Sequence, residues 1–158
     1  MESERSFPEV KEMSIKQISV FLVNKPGTLK NMTSVLAANR IDMRAISLTE
    51  TKEYGIARII VDDVIHAVEI LKDADFVTSI NSVIAVEIPD EPGGLDTILA
   101  DFAAADVNIQ YMYSFVLNQA DGKAGMIFRV DDTSGAEAKL SAKGLSFLTQ
   151  DEIKAVTL

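Results

Sequence analysis

Hydrophobic and polar residues follow the same succession of patterns twice along the chain. Each succession opens with an apolar run typical of a buried strand, at residues 18–23 and again at residues 84–88. A Pro-Gly turn follows, and the next apolar residues recur every three or four positions, which predicts an amphipathic helix. The apolar stripe of the first helix is Leu29, Met32 and Leu36, and that of its counterpart is Leu95, Ile98, Leu99 and Phe102.

The remainder of each succession predicts a strand pair, a second helix and a closing strand. These strands are expected at 43–49, 56–61 and 76–80 in the first copy, and at 109–117, 124–130 and 145–149 in the second. The pairs Asp62-Asp63 and Asp131-Asp132 precede the second helices, where a carboxylate accepts hydrogen bonds from the free N–H groups of the first turn. The order βαββαβ, present twice, predicts an α+β fold of two tandem ferredoxin-like sandwiches.

The two copies align at a spacing of 66 residues, from Val20 with Val86 to Ile46 with Met112. The alignment divides the chain into a flexible N-terminal tail at 1–14, a first unit at 15–82, a second unit at 83–150 and a C-terminal tail at 151–158. We expect the units to pack side by side with their sheets joined at an edge, because pairing buries strand edges that a single sandwich leaves exposed.

Composition narrows the functions open to the chain. Its 158 residues include 15 basic and 24 acidic side chains, a formal net charge of −9, which disfavours binding to nucleic acids or to anionic membrane surfaces. Cysteine is absent, which excludes disulfides and thiol chemistry. The N-terminus lacks the apolar core of a signal peptide, and no apolar run approaches the ~20 residues of a membrane span. We therefore expect a cytoplasmic protein.

The loop after the first strand of each unit carries the most specific signal. The loops read Asn24-Lys25-Pro26-Gly27-Thr28-Leu29 and Asp90-Glu91-Pro92-Gly93-Gly94-Leu95, and after the helix Asp42 or Asn108 begins the next strand. This pattern resembles the ACT domain, a small ligand-sensing module attached to many enzymes of amino-acid metabolism. The resemblance covers residues 15 to 150, nearly the whole chain, and implies a stand-alone tandem ACT protein with a regulatory role, not an enzyme.

The chemistry of these loops suits an amino acid. Glycine after proline lets a ligand approach the backbone closely, and the helix that opens there offers free N–H groups to a carboxylate. Asn and Asp side chains accept hydrogen bonds from an ammonium group. In ACT domains that bind amino acids the ligand lies between neighbouring domains near these positions. The resemblance thus nominates Asn24, Gly27, Thr28 and Asp42 in the first unit, and Asp90, Gly93, Gly94 and Asn108 in the second.

One departure from the family pattern affects the site. Some members carry a histidine two residues before the Asn, and here Leu22 or Ile88 stands in that position. A contact through that side chain is therefore lost. The resemblance implies an amino acid ligand, an enzyme partner, and pairing either as a homodimer or as an intramolecular domain pair, with no nucleic acid and no membrane.

Other interpretations stay open. The Pro-Gly loops are also ordinary turn and cap chemistry, so the alternative function is a ligand-free interaction module or the regulatory subunit of a separate amino-acid-metabolism enzyme. A single histidine, His66, on a predicted helix surface and the lack of cysteine disfavour an enzyme. Helix capping explains the aspartate pairs without a metal, and phosphate-binding glycine motifs are missing, so we expect neither metal nor cofactor.

Tyr111, Tyr113 and Phe115 alternate along one strand and therefore face the same side of the sheet. Such a row is typical of a core or an interface, and Tyr111 or Tyr113 also suits the wall of a binding site. A nucleic-acid module on this fold would need such aromatics interleaved with Lys or Arg, and we expect no basic side chains beside this row.

Overall fold

The computed structural model describes residues 14–115, 117 and 122–155. Residues 1–13 of the expected N-terminal tail and 156–158 of the C-terminal one lie outside the described residues. The elements are β1 (Ile15–Val23), α1 (Thr28–Ala38), β2 (Met43–Glu50), β3 (Tyr54–Val61), α2 (Val64–Asp73), β4 (Val77–Pro89), α3 (Gly94–Ala104), β5 (Ile109–Phe115), β6 (Lys123–Val130), α4 (Thr133–Ser141), β7 (Phe147–Leu148) and α5 (Gln150–Lys154). No helix in these ranges is long and apolar enough to cross a lipid bilayer.

The strands of both units form one antiparallel sheet, in the order β2-β3-β1-β4-β6-β5, with the short β7 paired to β4. The long strand β4 serves both units, because its residues 77–83 pair with β1 and its residues 84–89 pair with β6. The partner changes between Val83 and Ile84, next to the expected unit boundary. Each unit thus has the strand order of a ferredoxin-like sandwich, and the predicted α+β fold of two tandem sandwiches is confirmed.

Four helices end in the same backbone motif. The first large apolar residue after each helix donates its N–H to a carbonyl five residues earlier: Ile41 to Leu36, Phe76 to Leu71, Val107 to Phe102 and Leu145 to Leu140. The residue before each donor has a positive φ: Arg40 (55°), Asp75 (66°), Asp106 (57°) and Gly144 (82°). This Schellman motif pairs the last carbonyls of the helix and turns the chain towards its next strand.

Three apolar clusters stabilise the fold. One lies between the sheet and helices α1 and α2, and a matching one lies between the sheet and helices α3 and α4. The third, which we call the junction cluster, lies on the opposite face of the sheet and combines residues of both units: Ile15, Ala45, Ile60, Val83, Ala85, Phe115, Leu117, Ile127, Leu148 and Ile153. The sheet therefore curls until the helix-free faces of the two units pack on each other.

The sheets of the two units are joined as expected, but the units do not lie only side by side. The units share a sheet through the unbroken strand β4, and they also meet face to face. Ile60 and Ile127 are apolar on the face away from the helices, so both faces of the sheet need burial. The segment expected as a C-terminal tail begins as α5, whose Ile153 is buried in the junction cluster.

Candidate ligand-binding site

The loop between β1 and α1 opens the first helix without a side-chain cap. Gly27, the N-cap residue, has φ 89°, a left-handed conformation that glycine adopts without a steric penalty, and it has no side chain to accept from the first turn. Thr28 follows, and its hydroxyl oxygen is shielded from solvent without a hydrogen-bond partner among the described residues. A buried, unpaired hydroxyl costs about 1–3 kcal/mol, so this loop presents unused donors at the positive end of a helix.

Acceptors lie beside these donors. Asn24 is anchored by its N–H to the carbonyl of Glu53 (3.1 Å) and by its Nδ2 to the carbonyl of Thr51 (3.1 Å). No described residue donates a hydrogen bond to the side-chain oxygen of Asn24, which can therefore accept one. Glu50, at the end of β2, lines the same small cavity of about 60 Å³ as Asn24 and Thr28. The first loop therefore offers donors and acceptors within one recess.

The loop between β4 and α3 has the same backbone but different surroundings. Gly93 repeats the left-handed conformation with φ 84° and likewise has no side-chain cap. Gly94 is buried, and a Cβ atom there would lie 2.1 Å from the carbonyl oxygen of Pro89. The space that the missing side chain leaves at Gly94 is occupied by the backbone carbonyl of Pro89. The N–H of Asp90 donates to the carbonyl of Gly122 (3.0 Å), which ties the loop to the neighbouring strand.

The two remaining nominated residues lie at the other end of the sheet within their own units. Asp42 precedes β2, donates its N–H to Asp62 Oδ1 (3.0 Å) and contacts Arg44 through its carboxylate (3.1 Å). Eight residues of β3 separate that end from the end where Asn24 lies, which is about 25 Å at the usual rise of a strand. Asn108 lies beside Asp131 and Asp132 in a separate recess. Neither residue joins the loop of its own unit.

The aspartate pairs cap helices as the sequence predicts. Asp63 accepts from the N–H of His66 (3.1 Å), and Asp132 accepts from the N–H of Gly135 (3.1 Å). His66 itself is exposed on α2. Within the described ranges no group of three or more His, Asp or Glu side chains is placed to hold a metal ion.

A hydrogen-bond network joins the two units across the junction. Gln17 is fully buried on β1 and accepts from the hydroxyl of Tyr113 at 2.7 Å. Its Nε2 donates to the hydroxyl of Tyr111 at 2.7 Å and to Ser19 Oγ at 3.3 Å. Burial, with a smaller contribution from Tyr111, raises the pKa of Tyr113 well above its usual value, although the charge of Arg58 opposes the shift. The aromatic row thus forms part of the interface between the units.

The expectation that no basic side chain accompanies this row is wrong. The guanidinium of Arg58 lies 3.9 Å from the ring centroid of Tyr111, a cation–π contact. Arg129 lines the same cleft between the units. The sheet curl carries Arg58 from the first unit to an aromatic residue of the second, a contact that separate units would not have.

The sequence contained a signal for these missed residues. Arg58 is the single charged residue of β3, Arg129 follows an apolar run in β6, and Gln17 is a polar residue near the start of β1. A polar side chain in such a position requires a partner if the face is buried. Glu50 gave no comparable signal, because a glutamate at a strand end is typical of a solvent-exposed position.

Comparison with known proteins gives the family of the chain and solved structures that it resembles. The sequence matches the ACT domain pair family over residues 13–157. The crystal structure of a Bacteroides thetaiotaomicron protein is similar with a TM-score of 0.84 and 34% identity, over 91% of this chain and 98% of that one. No curated protein sequence matches the chain.

Two more distant solved structures share the fold. The ligand-free regulatory subunit of aspartate kinase from Thermus thermophilus has a TM-score of 0.59 and 18% identity, over 82% of this chain and 90% of that one. Aspartate kinase from Synechocystis has a TM-score of 0.52 and 20% identity, over 84% of this chain and 27% of that one.

Proposed function

The chain belongs to the family of ACT domain pairs, and we propose that it is a regulatory protein that binds a free amino acid at the β1–α1 loop. The observation that carries this proposal is the buried, unpaired hydroxyl of Thr28 at the start of an uncapped helix. Family membership and the aspartate kinase regulatory subunit of the same fold support a regulatory, non-catalytic role.

The carboxylate of the ligand would take the donor side of the loop. The hydroxyl of Thr28 would donate together with the N–H groups that follow it in the first turn of α1, since the N–H of Thr28 itself donates to the carbonyl of Lys25 (3.4 Å). The helix dipole favours a negative charge there. No atom lies within 4 Å of the position of a Cβ at Gly27, so a ligand has room to approach the backbone. Binding would pair a hydroxyl that is otherwise buried without a partner.

The ammonium group would take the acceptor side. The side-chain oxygen of Asn24 and the carboxylate of Glu50 line the same recess as Thr28. Glu50 supplies from the same unit the negative charge that the sequence assigned to Asp42. Donors for one end and acceptors for the other select a zwitterion over a simple acid or amine.

We further propose that a second copy of the chain closes this recess. The residues that line it belong to the first unit, whereas the ligand is expected between domains. A row of exposed apolar side chains continues from the recess across the same sheet: Val23 (53% exposed), Tyr54 (56%), Phe21 (44%) and Val77 (64%). A homodimer would bury this surface beside the loop. Sedimentation equilibrium of the full chain tests this, and a monomer at micromolar concentration would contradict it.

A thermal-shift panel of the common amino acids tests the binding proposal. A ligand at 100 times its dissociation constant stabilises the folded chain by about 2.7 kcal/mol. The variant Gly27→Leu should lose the response, because its side chain fills the approach to the backbone. Gly93→Leu is the matched control, since it adds the same side chain at nearly the same φ and also meets no atom within 4 Å.

The outcomes of the thermal-shift panel distinguish the two loops from each other and from a protein that binds no amino acid. An unchanged melting temperature with every amino acid at millimolar concentration would contradict the proposal. A response that survives Gly27→Leu and disappears in Gly93→Leu would move the site to Asp90, Gly93 and Gly94. If no amino acid binds, the alternative of a ligand-free partner for a separate enzyme is favoured, because the exposed apolar row then needs another occupant.

A further inference from the structure

We propose that the cleft between the two units, which we call the junction cleft, binds a small dicarboxylate, with one carboxylate at Arg58 and the other at Arg129. This site is distinct from the β1–α1 loop and would bind a different class of ligand. The cleft has a volume of about 260 Å³, near the lower limit of about 300 Å³ for small-molecule sites, which suits a compact metabolite.

The charge of the junction cleft is the first argument. Arg58 and Arg129 both line it, and no Asp or Glu does. Among the described residues neither guanidinium forms an ion pair with a carboxylate; the ion pairs found there join Arg44 to Asp42 and Lys123 to Glu87. Two half-buried cations therefore share one cleft in a chain whose net charge is −9. An anion between them would relieve their repulsion.

Both guanidinium groups are held in place before any ligand binds. Arg58 Nη1 donates to Thr49 Oγ1 (3.1 Å), and its guanidinium stacks on Tyr111. Arg129 Nη1 donates to the carbonyl of Ser82 (2.7 Å). A guanidinium has five N–H donors, so most of those on each arginine remain free for a bidentate contact with a carboxylate. Fixed side chains lose little entropy when they bind, which favours affinity.

The neutral side chains of the cleft add donors. The hydroxyl of Tyr111 accepts from Gln17, which leaves its own proton free to donate. The side-chain oxygen of Asn81 accepts from Ser19 (2.7 Å), which leaves its NH₂ group free. An ammonium group would find two arginines and no carboxylate in the lining, so the cleft favours a diacid without an amino group.

The placement of the arginines on two different units suits a ligand that contacts both. Arg58 lies on β3 and Arg129 on β6, and β1 and β4 stand between them in the sheet. Tyr111, on which Arg58 stacks, is the register partner of Arg129 in the β5–β6 pair, so the curl of the sheet brings both arginines to one tyrosine. Different anchors hold the two guanidiniums, Thr49 for one and Ser82 for the other. A molecule with a carboxylate at each end would therefore bridge the two units.

Isothermal titration of the full chain with succinate, glutarate and inorganic phosphate tests this site. We expect succinate or glutarate to bind, and Arg58→Met and Arg129→Met each to weaken that binding at least tenfold. Arg44→Met is the matched control, because Arg44 is paired with Asp42 outside the cleft, and it should bind as the parent does. Unfolding without ligand shows that each variant is folded.

Three results would overturn the proposal: no binding of either diacid at 10 mM, unchanged affinity in both arginine variants, or phosphate binding as tightly as the diacids. The Gly27→Leu chain separates this site from the amino acid site. It should keep the affinity for the diacid even if its response to amino acids is lost. Loss of both would contradict two independent sites.

Discussion

The two units have equivalent helix-side cores and differ on the surfaces that meet each other. On the helix side, Ile18 and Ile84 occupy equivalent positions, and Leu36 matches Phe102. At the junction the equivalents diverge: Val83 stands where the first unit has Gln17, and Ala45 and Ser47 stand where the second has Tyr111 and Tyr113. Residues that pack against the helices of their own unit are similar in the two units, whereas residues that face the other unit differ.

The two loops differ in the same way. Thr28 and Gly94 are equivalent positions, and only the first brings a hydroxyl to the start of its helix. Gly94 instead lies against the carbonyl of Pro89. The second loop is therefore packed against its own strand at this one position, although Gly93 has the same open surroundings as Gly27.

The loop comparison gives the largest expected effect. In Gly94→Ala the new Cβ would lie 2.1 Å from the carbonyl oxygen of Pro89, so the backbone must shift. We expect a loss of about 3 kcal/mol in the free energy of unfolding. In Gly27→Ala the new Cβ meets no atom within 4 Å. This variant should lose only about 1 kcal/mol in the free energy of unfolding, because alanine is strained in the left-handed conformation. Urea denaturation measures both, and equal losses would contradict the close packing of Gly94 against Pro89.

A smaller effect tests the asymmetry of the junction. Gln17→Leu removes the hydrogen-bond partner of the buried Tyr113 hydroxyl and of Tyr111, which should cost about 2 kcal/mol. The double variant Gln17→Leu with Tyr113→Phe leaves fewer polar groups unpaired, so it should recover part of that loss. Strictly additive losses in a double-mutant cycle would show that the network does not couple the units.

The sequence predicts the repeated parts of this protein well, because local patterns encode them. Apolar periodicity and aspartate caps at Asp63 and Asp132 specify the elements of both units, and repetition exposes their order. The separation of Asp42 from Asn24 also follows from the βαβ order, since a crossover returns the chain to the end where the first strand began. The contact of Arg58 with Tyr111 does not follow, because it depends on how far the shared sheet curls.

The smallest expected effect is on the pH dependence of stability and concerns Tyr113. Its equivalent in the first unit is Ser47, whose side chain does not ionise between pH 9 and 11. Burial raises the pKa of Tyr113 in the folded chain, whereas in the unfolded chain it ionises near pH ~10. Above pH ~10 Tyr113 therefore loses its proton in the unfolded chain but keeps it in the folded chain. The free energy of unfolding then decreases by up to about 1.4 kcal/mol per pH unit. Tyr113→Phe should remove this contribution to the pH dependence of the free energy of unfolding and leave the contributions of all other groups unchanged. Urea denaturation of both chains between pH 9 and 11 measures the difference, and parallel curves would show that Tyr113 is not buried at the junction.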